Sequence, residues 1–73
     1  MDWSDCEVVE VVPGKVSGAP VVKGSRVQAD TVLESHQLGE SVDEIAYSFD
    51  LDPRDIRALL TYAAAHELTK PAR

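Results

Sequence analysis

The spacing of apolar residues in the second half of the chain predicts two short amphipathic helices in close succession. Apolar residues recur at i, i+3, i+4 and i+7, as they do on one face of a helix. They are Val42, Ile45, Ala46 and Phe49 in the first pattern, and Ile56, Leu59, Leu60 and Ala63 in the second. The predicted helices run from Ser41 to Phe49 and from Asp52 to about His66. Because only Asp50 and Leu51 separate them, the pattern predicts a helix-turn-helix.

Capping residues mark the starts of both helices. Ser41 and Glu44 have the spacing of a capping box, in which each side chain accepts a hydrogen bond from the other residue's amide. Asp52 followed by Pro53 is typical of a helix start, because the carboxylate caps the free amides and proline suits the first helical position.

A further helix is predicted upstream, from Thr31 to about Leu38. Asp30 is expected to cap it, and Gly39 is expected to end it in a left-handed conformation. Three residues at helical spacing would form its inner face: Val32, Leu33 and His36.

Valine-rich segments bounded by turn residues predict a small β part before the helices. Residues 7–12 have the composition of a strand, which ends at Pro13-Gly14. Val21-Val22 and Arg26-Val27 are predicted to be the two strands of a tight hairpin with a basic turn, Lys23-Gly24-Ser25. An isolated two-stranded hairpin is weak in water. We therefore expect it to pack on the helices, to pair with the first strand, or to pair across a dimer.

The predicted fold is mainly α with a small β part: an N-terminal strand and β-hairpin followed by a three-helix helix-turn-helix unit. We expect a single domain over residues 1–73, with the strand and hairpin in 7–28 and the three helices in 29–67. Residues 1–6 and 69–73 are expected to be flexible.

Size and composition restrict the class of protein. A chain of 73 residues buries only about 60% of the surface of its unfolded form. The single cysteine, Cys6, cannot form an internal disulfide, and no Cys/His spacing suits zinc. We therefore expect a homodimer. With no signal-like or membrane-spanning apolar run, we expect a cytoplasmic protein. An enzyme is not predicted, because His36 and His66 lack catalytic neighbours, and His36 is expected to be half-buried.

The net charge of −6 is unevenly distributed. Residues 1–12 carry four acids and no base, and residues 29–55 carry eight acids and one arginine, whereas residues 13–28 carry three bases and no acid. An acidic chain repels phosphate, so contact with nucleic acid depends on local basic patches. The acidic segment 29–55 would equally suit a basic protein partner.

Lys23 and Arg26 at the predicted hairpin are candidates for contacts with the phosphate backbone of a nucleic acid. The alternative is structural, with Arg26 paired to Asp30 or to the strand residues Glu7 and Glu10. Both interpretations fit the sequence.

Arg54, Arg57 and Thr61 lie on the side of the last helix away from its apolar face. They are candidates for major-groove contacts, because arginine reads guanine well. Against this, Asp52 and Asp55 flank the two arginines and would repel phosphate, so a solvated face with local ion pairs is the alternative.

Ala58, Tyr62 and Ala65 form a second stripe on the same helix. A small core does not easily cover two faces of one helix, so this stripe is a candidate dimer interface. Contact with the first strand or the hairpin is the alternative within the chain.

Residues 18–27, Gly-Ala-Pro-Val-Val-Lys-Gly-Ser-Arg-Val, resemble the signature G-x-P-hydrophobic-hydrophobic-x-G-[TS]-R-hydrophobic of the domain-of-unknown-function 433 family. Residues 39–45, 51–58 and 60–63 are similar to later family boxes in the same order, and the resemblance covers about residues 12 to 65. One departure concerns Asp30, which stands where the family usually has a serine or threonine cap.

The resemblance implies a homeodomain-like or winged-helix-like fold, commonly dimeric. It also implies an antitoxin role beside a partner toxin, often of PIN-domain ribonuclease type. The expected function is therefore that of an antitoxin-like regulatory protein, a dimeric DNA-binding module of a toxin–antitoxin pair. The alternative is a protein-interaction module that binds no DNA and docks a basic partner on its acidic face.

Overall fold

Three helices and a two-stranded antiparallel sheet form the fold of residues 2–67, the part of the chain described by the computed structural model. The sheet pairs β1 (Val9–Glu10) with β2 (Val21–Val22), and the loop between them contains a 3-10 turn (Val16–Gly18). The helices are α1 (Ala29–Gln37), α2 (Val42–Phe49) and α3 (Pro53–Glu67). The predicted mainly α fold with a small β part is confirmed.

β2 is covered on both faces and paired at both edges. Val21 and Val22 are 0% and 1% exposed, although successive strand residues point to opposite faces. Val22 lies opposite Val9 in the antiparallel pair, and Val21 bridges Gln28 on the other edge. The segment therefore pairs with the first strand, one of the three predicted alternatives. Of the strand predicted over residues 7–12, only β1 forms, because β2 offers a partner of two residues.

Arg26 and Val27, predicted as the second strand of the hairpin, lie instead in the turn and loop after β2. The Val22 amide donates to the Val27 carbonyl at 2.9 Å. The Ser25 hydroxyl donates to the Val22 carbonyl at 2.8 Å and accepts from the Val27 amide at 3.1 Å. These side-chain bonds satisfy backbone groups that a strand ladder would otherwise pair.

The predicted helix-turn-helix connection is present, with both of its caps. The Ser41 hydroxyl accepts from the Glu44 amide at 3.1 Å, and the Glu44 carboxylate accepts from the Ser41 amide at 2.8 Å. At the start of α3, the Asp52 carboxylate accepts from the Arg54 amide at 2.9 Å. Between the helices, Asp50 takes a left-handed conformation with φ of 57° and ends α2.

α1 begins at Ala29, two residues before the predicted start, and the prediction of Asp30 as its cap is wrong. Gln28 occupies the cap position without a side-chain cap bond. The Ala29 amide instead donates to the carbonyl of Pro20 at 3.0 Å, so the loop before β2 fixes the start of the helix. Gly39 follows α1 with φ of +102°, as expected for its predicted role.

The core lies between the three helices and the sheet, and α3 packs against both α1 and α2. In the predicted inner faces of α2 and α3, Ile45, Ala46, Ile56, Leu59 and Ala63 are buried, whereas Val42, Phe49 and Leu60 are half-buried and pack against the core. The inner face of α1 is narrower than predicted.

α1 buries Ala29 and Val32 in its first half. Leu33 is half-buried, whereas His36 in the last turn is exposed, so the prediction of a half-buried His36 is wrong. The His36 ring turns back toward the end of its own helix, with Nδ1 3.3 Å from the Glu40 carbonyl oxygen.

Residues 2–6, expected to be flexible, contribute two side chains to the core. Trp3 is 3% exposed and Cys6 is 6% exposed. Residues 69–73, also expected to be flexible, lie outside the described residues. No helix within residues 2–67 is both long and apolar enough to cross a membrane.

Replacing Ser41 by alanine should destabilise the chain by about 1 kcal/mol, because one amide of α2 then loses its cap. The measurement is the free energy of unfolding in urea. Ser48→Ala is the matched control, since Ser48 is an exposed serine on the same helix with no side-chain hydrogen bond to another described residue. It should change the stability by less than about 0.5 kcal/mol. Equal losses in the two variants would contradict the capping role.

Candidate nucleic-acid interface

The solvent side of α3 carries arginines and small residues. Its exposed residues are Arg54, Arg57, Ala58, Thr61, Ala64 and Ala65. Steps of three and four residues place them on one stripe of the helix. Over the part of α3 whose side chains are described, that stripe holds no carboxylate, because Asp55 is half-buried beside it. The structure thus brings the three predicted major-groove residues of this helix onto one surface.

Arg54 is held by the carboxylate that caps its own helix. Its Nη2 lies 3.0 Å from Oδ2 of Asp52, and its Nε donates to Oδ1 at 3.4 Å. These hydrogen bonds hold the pKa of Asp52 below its usual value, and the charge of Arg57 adds to the effect. The Arg54 side chain is 85% exposed, so water screens the pair, which contributes little to stability.

Three other candidate cations have unpaired side chains. Lys23, Arg26 and Arg57 are exposed and form no side-chain hydrogen bond or ion pair with another residue of the range 2–67. The predicted alternative in which Arg26 pairs with an acidic residue is therefore wrong. Glu10 and Asp30 bind other groups, whereas Glu7, the third predicted partner, forms no side-chain hydrogen bond or ion pair within residues 2–67.

Glu10 at the end of β1 clamps the turn that carries Lys23. Its Oε2 accepts from the Gly24 amide at 3.1 Å and from Lys15 Nζ at 3.4 Å. Gly24 has φ of +76°, a left-handed conformation that suits glycine. The Gly24 hydrogen bond is the main cause that lowers the pKa of Glu10, and Lys15 and Lys23 add to it. The turn is therefore positioned by a carboxylate that partly offsets its positive charge.

Residues 2–7, which we call the strap, cross α1 and α3. Trp3 is buried, and its indole Nε1 donates to Asp30 Oδ1 on α1 at 2.9 Å. Its ring stacks on Tyr62 of α3 with a centroid distance of 5.7 Å. The Tyr62 hydroxyl donates to the Asp2 carbonyl at 2.6 Å. The strap thus occupies the second face of α3, beside the stripe.

The strap covers part of the candidate dimer interface, which consists of Ala58, Tyr62 and Ala65. Tyr62 is half-buried within the chain by the strap and also stacks on His66 at 3.8 Å, whereas Ala58 and Ala65 are exposed. The covering segment precedes the first strand, so it is neither of the elements named in the sequence-based alternative. A dimer through this stripe remains a prediction, and it would use the two alanines beside an already occupied tyrosine.

Sequence patterns did not identify this cluster. The signal available for it was the single tryptophan of a chain with few large apolar residues. Burial of such a large side chain adds much apolar contact area to a small core. Because Trp3 is far from Asp30 and Tyr62 in the sequence, no local pattern predicts the contact.

A groove of about 400 Å³ separates the strap from the stripe. Asp5, Cys6 and Glu7 line one wall, and Ala58, Thr61 and Tyr62 line the other. Two acidic residues of the strap therefore share a groove with Thr61, a candidate nucleic-acid contact.

A family model described as "Protein of unknown function (DUF433)" matches residues 9–63 of the chain. The chain belongs to the DUF433 family. No curated protein matches it. The strap precedes the matched residues, while α3 lies within them up to residue 63.

The fold of this DUF433 protein is similar to that of a solved family member. The crystal structure at 2.00 Å resolution of a DUF433 member protein from Anabaena variabilis ATCC 29413 matches with a TM-score of 0.66 and 20% sequence identity. The match covers 80% of this chain and 58% of that chain, so this chain spans little more than half the length of its relative.

Trp3 provides a direct probe of the strap, since it is the single tryptophan of the chain. Acrylamide should quench its fluorescence several-fold less in the native protein than in urea, because the indole is buried. Tyr62→Ala should raise native quenching by removing the stacking partner. Tyr47→Ala, at a tyrosine that is 91% exposed, is the control and should leave it unchanged. Native quenching as strong as in urea would contradict the packing of the strap.

Acidification should weaken the clamp made by Glu10 in this DUF433 protein. Because its folded-state pKa lies below the ordinary value of 4.5, ionised Glu10 stabilises the fold above about pH 4.5. That contribution is lost as the pH falls through the lowered pKa. We expect Glu10→Gln to be less stable than the parent at pH 7 and equal to it at the acid end of the range. Urea unfolding at several pH values measures the difference.

Glu34→Gln is the control for this comparison, because Glu34 is exposed and its side chain has no hydrogen bond or ion pair within residues 2–67. It should match the parent at every pH. A difference between Glu10→Gln and the parent that persists unchanged into acid would refute the electrostatic clamp.

Proposed function

We propose that this DUF433 protein is a DNA-binding regulatory protein of antitoxin type that acts as a homodimer. The observation that carries the proposal is the stripe on α3, where two arginines precede small side chains on the second helix of a helix-turn-helix. In proteins of that architecture the second helix enters the major groove. A small residue such as Ala64, one heptad after Arg57, would let the helix approach the base edges closely.

The cations have distinct roles in this proposal. Arg57 is unpaired and would read a base edge or contact a phosphate, while Arg54 would exchange the Asp52 carboxylate for a phosphate oxygen. Lys23 and Arg26 on the turn after β2 would contact the backbone beside the groove. Thr61 would add a hydroxyl contact one turn further along α3.

The acidity of the chain limits the affinity that this surface can reach. Residues 27–53 contain seven acids and no lysine or arginine, so α1 and α2 repel phosphate. A homodimer would double the cationic contacts without new residues, which makes dimerisation part of the proposal. Binding carried by phosphate contacts weakens as salt rises, in proportion to the number of contacts.

An antitoxin also binds a partner toxin, and the acidic helices α1 and α2 would suit this second role. A basic toxin surface, such as that of a PIN-domain ribonuclease, would complement α1 and α2. One observation favours the alternative of a protein-interaction module without DNA binding. Tyr47 on α2 is 91% exposed, and helical spacing places Asp43 and Glu44 beside it, a composition that would suit arginine or lysine of a partner.

Arg57→Ala should lower the affinity for duplex DNA taken from upstream of the protein's own gene by about tenfold at low salt. The reason is that Arg57 is the unpaired arginine of the stripe. Fluorescence anisotropy over a series of salt concentrations measures both the affinity and its salt dependence. Lys23→Ala combined with Arg26→Ala should reduce the salt dependence of binding, as expected when phosphate contacts are lost.

Lys15→Ala is the matched control, since it removes one positive charge that Glu10 already pairs. It should affect binding much less than Arg57→Ala. Absence of binding by the parent protein even at low salt would overturn the proposal and favour the protein-interaction module. Binding that survives loss of both Lys23 and Arg26 unchanged would remove the turn from the interface.

A further inference from the structure

The strap brings acidic side chains to the border of the surface that the proposed function uses. Asp5 and Glu7 are exposed, and they face Ala58 and Thr61 across the groove between the strap and α3. Neither forms a side-chain hydrogen bond or ion pair with another residue of the described range 2–67. Their carboxylates are therefore not neutralised by a neighbour.

The strap is held in place by contacts other than those carboxylates. The Trp3 indole is buried and bonded to Asp30, and the Tyr62 hydroxyl is bonded to the Asp2 carbonyl. The contacts of Trp3 and of the Asp2 carbonyl, which we call the anchor, hold the strap in place. The unneutralised charges are those of the Asp5 and Glu7 side chains. Asp5 and Glu7 can be neutralised without removing a single described contact of the anchor.

The acidic side chains of the strap affect the ionisation of Tyr62 on α3. Partial burial raises the pKa of the Tyr62 hydroxyl, and the carboxylates of Asp2 and Asp5 raise it further. A phosphate that approached Thr61 or Ala58 would meet the same negative charge. Each carboxylate of the strap repels a nearby phosphate, and the repulsions from several phosphates add.

We propose that the strap is an autoinhibitory element, in which the carboxylates of Asp5 and Glu7 lower the affinity of the α3 stripe for DNA. This inference rests on the proposed function and concerns the regulation of the same surface. The strap is anchored on α3 by Trp3 and Tyr62, and its acidic wall stands beside the stripe. It sets the affinity by repulsion and leaves the reading residues Arg54 and Arg57 uncovered.

The experiment compares Asp5→Asn combined with Glu7→Gln against Glu34→Gln combined with Glu40→Gln. Both double variants change the net charge by the same amount, and neither Glu34 nor Glu40 lines the groove. The readout is the affinity for the upstream duplex by fluorescence anisotropy at low salt and again at high salt. Acrylamide quenching of Trp3 checks that the strap stays docked in both variants.

We expect the strap variant to bind DNA about five- to tenfold more tightly than the parent at low salt, and the control less than about twofold more tightly. The gain should shrink at high salt, because ions screen the repulsion. If the parent binds DNA and the two double variants bind alike, the inference is overturned while the proposed function stands. If neither parent nor variants bind at low salt, the proposed function falls, and the inference with it.

Discussion

The burial of Trp3 between α1 and α3 is the contact on which the arrangement of this small chain depends. α3 is the longest helix and presents more than one face that must be covered. Its aliphatic face packs against α1 and α2, but Tyr62 lies to one side of that face. The indole stacks on this tyrosine and bonds to Asp30, so one side chain links the strap to two helices. What remains exposed on α3 is then the stripe of arginines and small residues.

The covered and uncovered sides of the molecule differ in charge as well as in packing. The exposed surfaces of α1 and α2 are acidic, and the strap is acidic too, whereas the unpaired cations of residues 2–67 are on α3 and on the turn after β2. The pair of Lys15 with Glu10 helps to position the turn. The net charge of −6 thus conceals a local surface of opposite sign. Local distribution, rather than total charge, decides which partner such a surface can approach.

Local signals in the sequence predicted the helices well, because their caps and apolar spacing act over three or four residues. The capping box of Ser41 and Glu44 and the inner faces of α2 and α3 are of this kind. One prediction failed because a contact joins distant residues, and another failed because a neighbouring side chain replaced the backbone pairing of a strand. Asp30 was predicted to cap α1, but its carboxylate instead accepts a hydrogen bond from the indole of Trp3, 27 positions away in the sequence. Arg26 looked like a strand residue, but the Ser25 hydroxyl satisfies the backbone of the turn. The grouping of Arg54, Arg57 and Thr61 followed from helical spacing, whereas the acidic wall beside them depended on the path of the strap.

The energetics of the anchor constrain how the strap can act. Truncating a buried tryptophan typically costs about 3–5 kcal/mol. A domain of 73 residues is expected to have only about 4–11 kcal/mol of total stability. Undocking the strap would therefore consume a large part of the stability of the fold unless something else covered Tyr62 and the vacated core. Spontaneous release is for that reason a costly way to control the α3 stripe. Charge on a docked strap acts without that cost, since Asp5 and Glu7 are exposed and contribute nothing to the anchor. Because the core is small, the two roles of the strap are divided between different residues. A buried tryptophan fixes its path, and exposed carboxylates set the local electrostatic potential.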